Sequence, residues 1–438
     1  MNLFWKKLFG GITPTAKLEK KEAELIEDMK RYDIIGKSAQ LQEYYKLFHV
    51  VKSAGFQENR NILKNRKYKD TEEYKSITEY NKLKDSNDIK TYYKVLESKE
   101  LEQYLAFSAT PQFEDLGDKI KVKESEKLTK LSAFKHSNEY KTYVRFHDSF
   151  VIREFEKLKA IVTSPEFVKS NDFWANNNRW HQTPEYQTEV LFNKLQDNED
   201  VKFYINQKAE RFTNYRTVNQ TFKDEFNSAK IDESKWSSGF NYKNPAFIQH
   251  HSFANEKHAN NAGKNTTIEH SCLKISTKQE KITSKAWHPK KGFIQKEYEY
   301  TSDVLQTGKK FNQKKGVIRA KIKCSGKLHH CFWLGAENKL PFVSIFHFDG
   351  KSITVGNTTK DKVDGAQITG INPSEFYIYS LMWTEREMVW YINNVEIHRT
   401  NMNLPKEEMY LGFNSFISEK QKGSTGNFEI DWVRVYAN

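Results

Sequence analysis

The chain has 438 residues, more than the roughly 250–300 at which a single hydrophobic core stops growing, so two domains are expected. With 37% hydrophobic, 14% aromatic and 29% charged residues, its composition excludes an intrinsically unfolded chain. The net charge of +13 is spread over lysines and arginines interleaved with acids, which reads as a solvated basic surface and argues against a specific nucleic-acid partner.

The first residues, Met1 to Gly11, lack the uninterrupted apolar stretch of a secretion signal, and no later window reaches the roughly 18 apolar residues of a membrane span. A cytoplasmic location is therefore expected. Leu3, Phe4, Trp5 and Leu8 stand beside Lys6 and Lys7, a pattern that either docks on the protein's own body, the preferred reading, or makes a weak membrane-surface contact. A local basic stretch with an aromatic, Lys64 to Lys69, runs straight into the acids of a helix start and is read as a charged helix approach.

From about Pro14 to Asn219 glycine is nearly absent and apolar residues recur three and four apart, as in Tyr74, Ile77, Tyr80 and Leu83. Six segments open with a cap-forming residue, then an acid, then an apolar or aromatic residue. They are Asp70-Thr71-Glu72-Glu73-Tyr74, Ser86-Asn87-Asp88-Ile89, Ser98-Lys99-Glu100-Leu101, Ser137-Asn138-Glu139-Tyr140, Ser164-Pro165-Glu166-Phe167 and Thr183-Pro184-Glu185-Tyr186. Each predicts a helix start. The uneven spacing predicts degenerate repeats of short helices over residues 1–219, forming a bundle or a short helical solenoid whose Tyr and Phe stripes are core.

Beyond Thr221 the pattern changes to alternating apolar residues with Gly-, Asn- and Lys-containing turns, as in Lys351-Ser352-Ile353-Thr354-Val355-Gly356-Asn357. Residues 220–438 are expected to form an antiparallel β-sandwich or jelly roll. The three cysteines, Cys272, Cys324 and Cys331, are too few and too scattered for a disulfide framework, and are read as small core residues or free thiols.

Seven motifs in this half occur in an order that resembles glycoside hydrolase family 16, the laminarinases, lichenases, agarases and carrageenases. Asp224-Glu225-Phe226-Asn227 with Ile231-Asp232-Glu233-Ser234-Lys235-Trp236 is similar to the opening D-E-F-N and L-D-x-x-K-W, and Tyr300-Thr301-Ser302 to Y-T-S. Gly316 to Lys323 is similar to G-x-x-E-A-R-I-K, with Arg319 in place of the acid, and His330-Cys331-Phe332-Trp333-Leu334-Gly335 to P-A-F-W-L-G, with His329 in place of a preceding Trp. Phe376 to Thr384, Val389 to Asn394 and Phe428 to Tyr436 complete the set.

The resemblance implies a concanavalin A-like jelly roll with a concave glycan cleft. Retaining hydrolysis needs two carboxylates about 5–5.5 Å apart, which the family supplies from one strand as E-I-D-I-E or the bulged E-I-D-I-M-E. Here Phe342 falls at the nucleophile, Ser344 at the assisting acid and His347 at the acid/base, so that no carboxylate remains and Asp349 is the nearest acid on the strand. Ser344 and His347 should face opposite sides unless a bulge intervenes. Glu337 and Asp349 are the acids flanking the strand.

The expected function is accordingly non-catalytic: binding a polysaccharide or other glycan, with Trp333, Trp287, His329 and His347 as contacts. Trp383, Trp390 and Trp432 are read as core. One alternative is an assembly protein whose cleft and helical half meet protein partners, with oligomers among its forms, and another is a glycosidase with displaced acids. No cofactor is expected, apart from a structural calcium ion that the resemblance implies at Glu225 and Asp431.

Overall fold

Side-chain caps start the short helices as the sequence predicts. Thr71, Ser86, Ser98, Ser137, Ser164 and Thr183 each accept a hydrogen bond from the backbone N–H three residues on, satisfying donors that a helix N-terminus leaves unpaired. The computed structural model describes residues 1–216, 219–242, 250–336, 339–360 and 362–437. They form two compact units, Ile34–Asn206 and a second made of Met1–Asp33 with Gln207–Asn438.

In Ile34–Asn206 the helices pair in a nested order, first with last. Ala39–Val51 packs on Pro184–Asp197, Glu72–Asp85 on Phe150–Val162, Asn87–Leu96 on Asn138–Phe146 and Lys99–Ser108 on Glu126–His136. Rings fasten each rung: Tyr44 stacks on Phe192 at 5.6 Å, Tyr80 on Phe155 at 5.4 Å and Tyr92 on Tyr143 at 5.4 Å, and Tyr104 meets Phe134 at 5.8 Å. The chain turns back through Pro111–Gly117 and Lys119–Glu124. The predicted aromatic stripes are thus core, divided into several small clusters.

The other unit is a two-sheet sandwich, as the alternation predicts. The larger sheet runs Val395–Thr400, Met388–Ile392, Tyr377–Trp383, Gly316–Cys324, Gly426–Ala437, Cys272–His288, Gly292–Ser302, His258–Asn260, with three short strands joined to it. The smaller runs Val363–Ile368, Ile353–Thr358, Lys339–Phe348, His329–Ala336, Tyr410–Phe416, Val304–Gln306, Ser237–Ser238. Pairing is antiparallel except where Ser252–Phe253 and His258–Asn260 lie parallel to the long hairpin. Between the sheets lies one core that includes Phe332, Phe346, Trp383, Trp390, Phe413 and Phe428. All three cysteines are buried and unpaired.

Residues 1–33 and 207–216, read from sequence with the helical half, group with the β residues. Leu3 and Ile12 enter the inter-sheet core, and Leu3 N–H donates to Thr369 O at 2.8 Å. The helix Thr15–Gly36 places Leu18 on Ile378 and Trp432, so Trp432 is buried on the outer face of the larger sheet and not between the sheets. The acids of that helix complete the seat: Glu19 accepts from the Trp432 indole at 2.8 Å and pairs with Lys321 at 2.9 Å, and Glu22 receives Arg319 at 2.9 and 3.3 Å.

Candidate functional site

Strand register decides where Phe342, Ser344 and His347 point. Phe332 lies opposite Phe346, yet the next residue, Trp333, lies opposite Ser344; on the other side Ser344 faces Gly356 and His347 faces Thr354. The strand Lys339–Phe348 therefore carries one extra residue, a β-bulge. Ile345 and Phe346 turn inward side by side, each 1% exposed, so Phe342, Ser344 and His347 all lie half-buried on the outer face of the smaller sheet. The Trp390 indole crosses from the other sheet and donates to Ser344 O at 2.9 Å, satisfying a carbonyl that lies where the ladder breaks.

Neighbouring strands add aromatic rings to the same face. Trp333 meets Phe342 at 5.3 Å and Tyr410 at 5.6 Å, and its indole N–H donates to Asn414 Oδ1 at 2.9 Å. It lies over Gly412, where a Cβ would come within 2.1 Å of the ring. Trp333 is 8% exposed, which makes it a packed floor and not a free platform. His329 stacks on Phe416 at 4.2 Å and shares a hydrogen bond with His347, Nδ1 to Nε2, at 2.9 Å.

Electrostatics sets the protonation of these positions. Burial pushes the His329 ring down to about 4, with His347 adding to the shift, and burial also lowers His347. The two rings thus form a neutral pair near pH 7. Asp349 is committed elsewhere: its Oδ1 accepts from Lys351 N at 2.8 Å and Ser352 N at 2.7 Å, closing a turn. Burial raises its carboxyl, but these N–H groups outweigh that and hold it below the ordinary carboxylate range. Glu337, the other flanking acid, lies outside the described residues.

The four expected ligand contacts separate into two places. His329, His347 and Trp333 share the smaller sheet, whereas Trp287 stands on the long hairpin, 36% exposed and edge-on to Phe293 at 5.1 Å. Rings bridge the interval: Phe293 meets His251 at 5.7 Å, His251 meets Phe240 at 5.1 Å, and Phe240 packs against the Trp333 cluster. The strand Tyr410–Phe416 supplies Tyr410, Asn414 and Phe416, which sequence reading missed. Their alternation with Leu411, Phe413 and Ser415 marks one face, but the partner strand is set by sheet topology.

The two carboxylates proposed for calcium do not fit it. Both Glu225 oxygens accept from Arg434, at 2.7 and 2.8 Å, and Asp431 pairs with Lys321 at 2.8 Å, so cations of the chain neutralise both. Among the described residues no group of three or more His, Cys, Asp and Glu is arranged to hold a metal ion.

No protein-family profile and no curated protein matches the chain. Solved structures do. The chain is similar to β-glucanase catalytic domains over half its length. The catalytic domain of an endo-1,3-beta-glucanase (laminarinase) from Thermotoga petrophila RKU-1 is 20% identical with a TM-score of 0.41, covering 50% of this chain and 98% of that one. The endo-beta-1,3-glucanase of Pyrococcus furiosus is 18% identical at 0.41, covering 50% and 94%, and a non-specific endo-beta-1,3(4)-glucanase from family GH16 is 24% identical at 0.41, covering 50% and 91%.

Proposed function

We propose that this chain binds a glycan on the outer face of its smaller sheet and does not hydrolyse it. The observation that carries the reading is the bulged strand, which aims Phe342, Ser344 and His347 to one side, where the family motif would set carboxylates, and offers none. Sugar rings pack on aromatic faces through their C–H surfaces, and the half-exposed Trp287 with Phe293 beside it offers such a face, backed by the buried rings of His251 and Trp333. Trp287 is the leading contact because it is the most exposed of these tryptophans, with His329 and His347 as polar neighbours. Three reduced, buried thiols accord with a cytoplasmic setting.

Calorimetry and affinity electrophoresis on β-1,3-glucan, agar and carrageenan test this together with a reducing-sugar assay. The expected result is binding to one glycan class without sugar release, weakened about tenfold by Trp287→Ala. Sugar release that disappears in Asp349→Ala would establish a glycosidase with displaced acids and overturn the proposal. The close packing of Trp333 favours a second reading, an assembly protein whose cleft meets a protein. A folded chain that binds no glycan but elutes as an oligomer would replace the first reading with this one, and a strict monomer without partners counts against it.

A further inference from the structure

The segment Met1–Ile12 is tied down at both ends and turned outward in the middle. Leu3 is 0% exposed and Ile12 4%, both in the core, and Asn2 bridges to Thr369 beside them. Between these anchors the short helix Phe4–Leu8 and its continuation hold Phe4 at 50%, Trp5 at 60%, Leu8 at 61% and Phe9 at 79% exposure. The rings are not loose: Phe4 meets Trp5 edge-on at 5.2 Å and Trp5 stacks on Phe9 at 5.9 Å. Of the apolar residues expected to dock on the body, only Leu3 does so.

Among the exposed charges of residues 4–24 lysines outnumber acids, of which Glu24 alone is exposed. Lys6, Lys17, Lys20 and Lys21 are exposed, while the nearby acids Glu19 and Glu22 are turned to the sheet by Lys321, Trp432 and Arg319. Lys7 is held by Glu375 at 2.7 Å, and Lys20 reaches Glu24 at 3.8 Å. Aromatic and leucine side chains beside lysines suit the boundary between lipid headgroups and acyl chains, and the lysines suit anionic headgroups. The four apolar side chains expose on the order of 500 Å2, short of the roughly 800 Å2 per partner that a stable dimer buries.

We infer that Phe4, Trp5, Leu8 and Phe9, with Lys6 among them and the exposed lysines at 17, 20 and 21 on the helix that follows, form a peripheral docking surface for anionic lipid. The contact is reversible, because a patch this small inserts only to headgroup depth. The inference is independent of the glycan reading.

Flotation of the full chain with phosphatidylcholine vesicles, with and without about one third phosphatidylserine, tests it. The intact chain should float with the anionic vesicles only, lose most of that binding on raising salt to about threefold the physiological level, and bind about tenfold less as Trp5→Ala/Phe9→Ala. Phe9→Ser alone, at the most exposed ring, serves as the second variant if the double one misfolds. Failure of the intact chain to float, or undiminished flotation of a folded variant, would overturn the inference. Light scattering that shows a dimer dissolved by Phe9→Ser, with no flotation, would assign the patch to a second copy and overturn it too.

Discussion

Asp349 shows how far a residue's role depends on its hydrogen bonds. As a surface acid beside a turn, its loss should cost less than about 1 kcal/mol. The structure instead gives it the N–H groups of Lys351 and Ser352, so Asp349→Ala should lower stability by about 1–2 kcal/mol in denaturant titration, an effect of turn closure. Histidines set the acid limit. Burial holds His258 down to about 3 and His329 and His330 down to about 4, and lowers His347 as well; these rings stay neutral when folded but take up protons when unfolded. Their contribution is complete above the ordinary value near 6.5 and is lost as pH falls from there towards 4, by up to about 1.4 kcal/mol per pH unit for each. Glu256, which burial pushes up to about 8, works the other way between roughly 4.5 and 8. It lies 3.7 Å from His258, but both are held neutral and the contact is not an ion pair. The four rings outweigh one carboxyl, so the thermal midpoint should drop between pH 6.5 and 5; a flat or rising midpoint would refute this. None of these shifts was legible in the sequence, since each follows from burial by distant strands.

At the scale of elements, helix starts were the most readable feature, because a capping side chain and the backbone it satisfies are three residues apart. Which helices pair was not readable: nested order is set by where the chain turns back, and the rings at 92 and 143 carry no local sign of one another. That order makes a prediction. Tyr92→Ala removes one rung, at about 2–4 kcal/mol, and should speed amide exchange in the rungs enclosed by it, residues 99–136, while leaving Ala39–Val51 and Pro184–Asp197 protected. The bulge in Lys339–Phe348 was legible only as a condition, since extra residues show in register and not in composition. Arg319, a departure from the family motif with no meaning in sequence, acquires one from Glu22. Arg319→Glu should set two half-buried carboxylates face to face and cost about 3–5 kcal/mol, and adding Glu22→Arg should recover at least half of it in thermal unfolding.

For the whole molecule, periodicity divided the chain at residue 219, because helical and strand patterns change there. Contacts divide it differently, since Met1–Asp33 supplies Leu3, Ile12 and Leu18 to the β unit. Removing residues 1–33 should therefore bare Trp432 and Ile378 and make the remaining chain aggregate or melt at least about 10 °C lower, as light scattering and calorimetry would show. Unchanged melting would mean that the segment merely rests on the sheet. The same seat imposes an order in time. Leu18 precedes its partner Trp432 by about 410 residues in the chain, and the strand Gly426–Ala437 stands between Gly316–Cys324 and Cys272–His288. Until that strand is made, the helix Thr15–Gly36 lacks Trp432 and the sheet lacks the strand that joins its two sides. The β unit can thus close only when Gly426–Ala437 enters, and the same step brings Trp432 under Leu18.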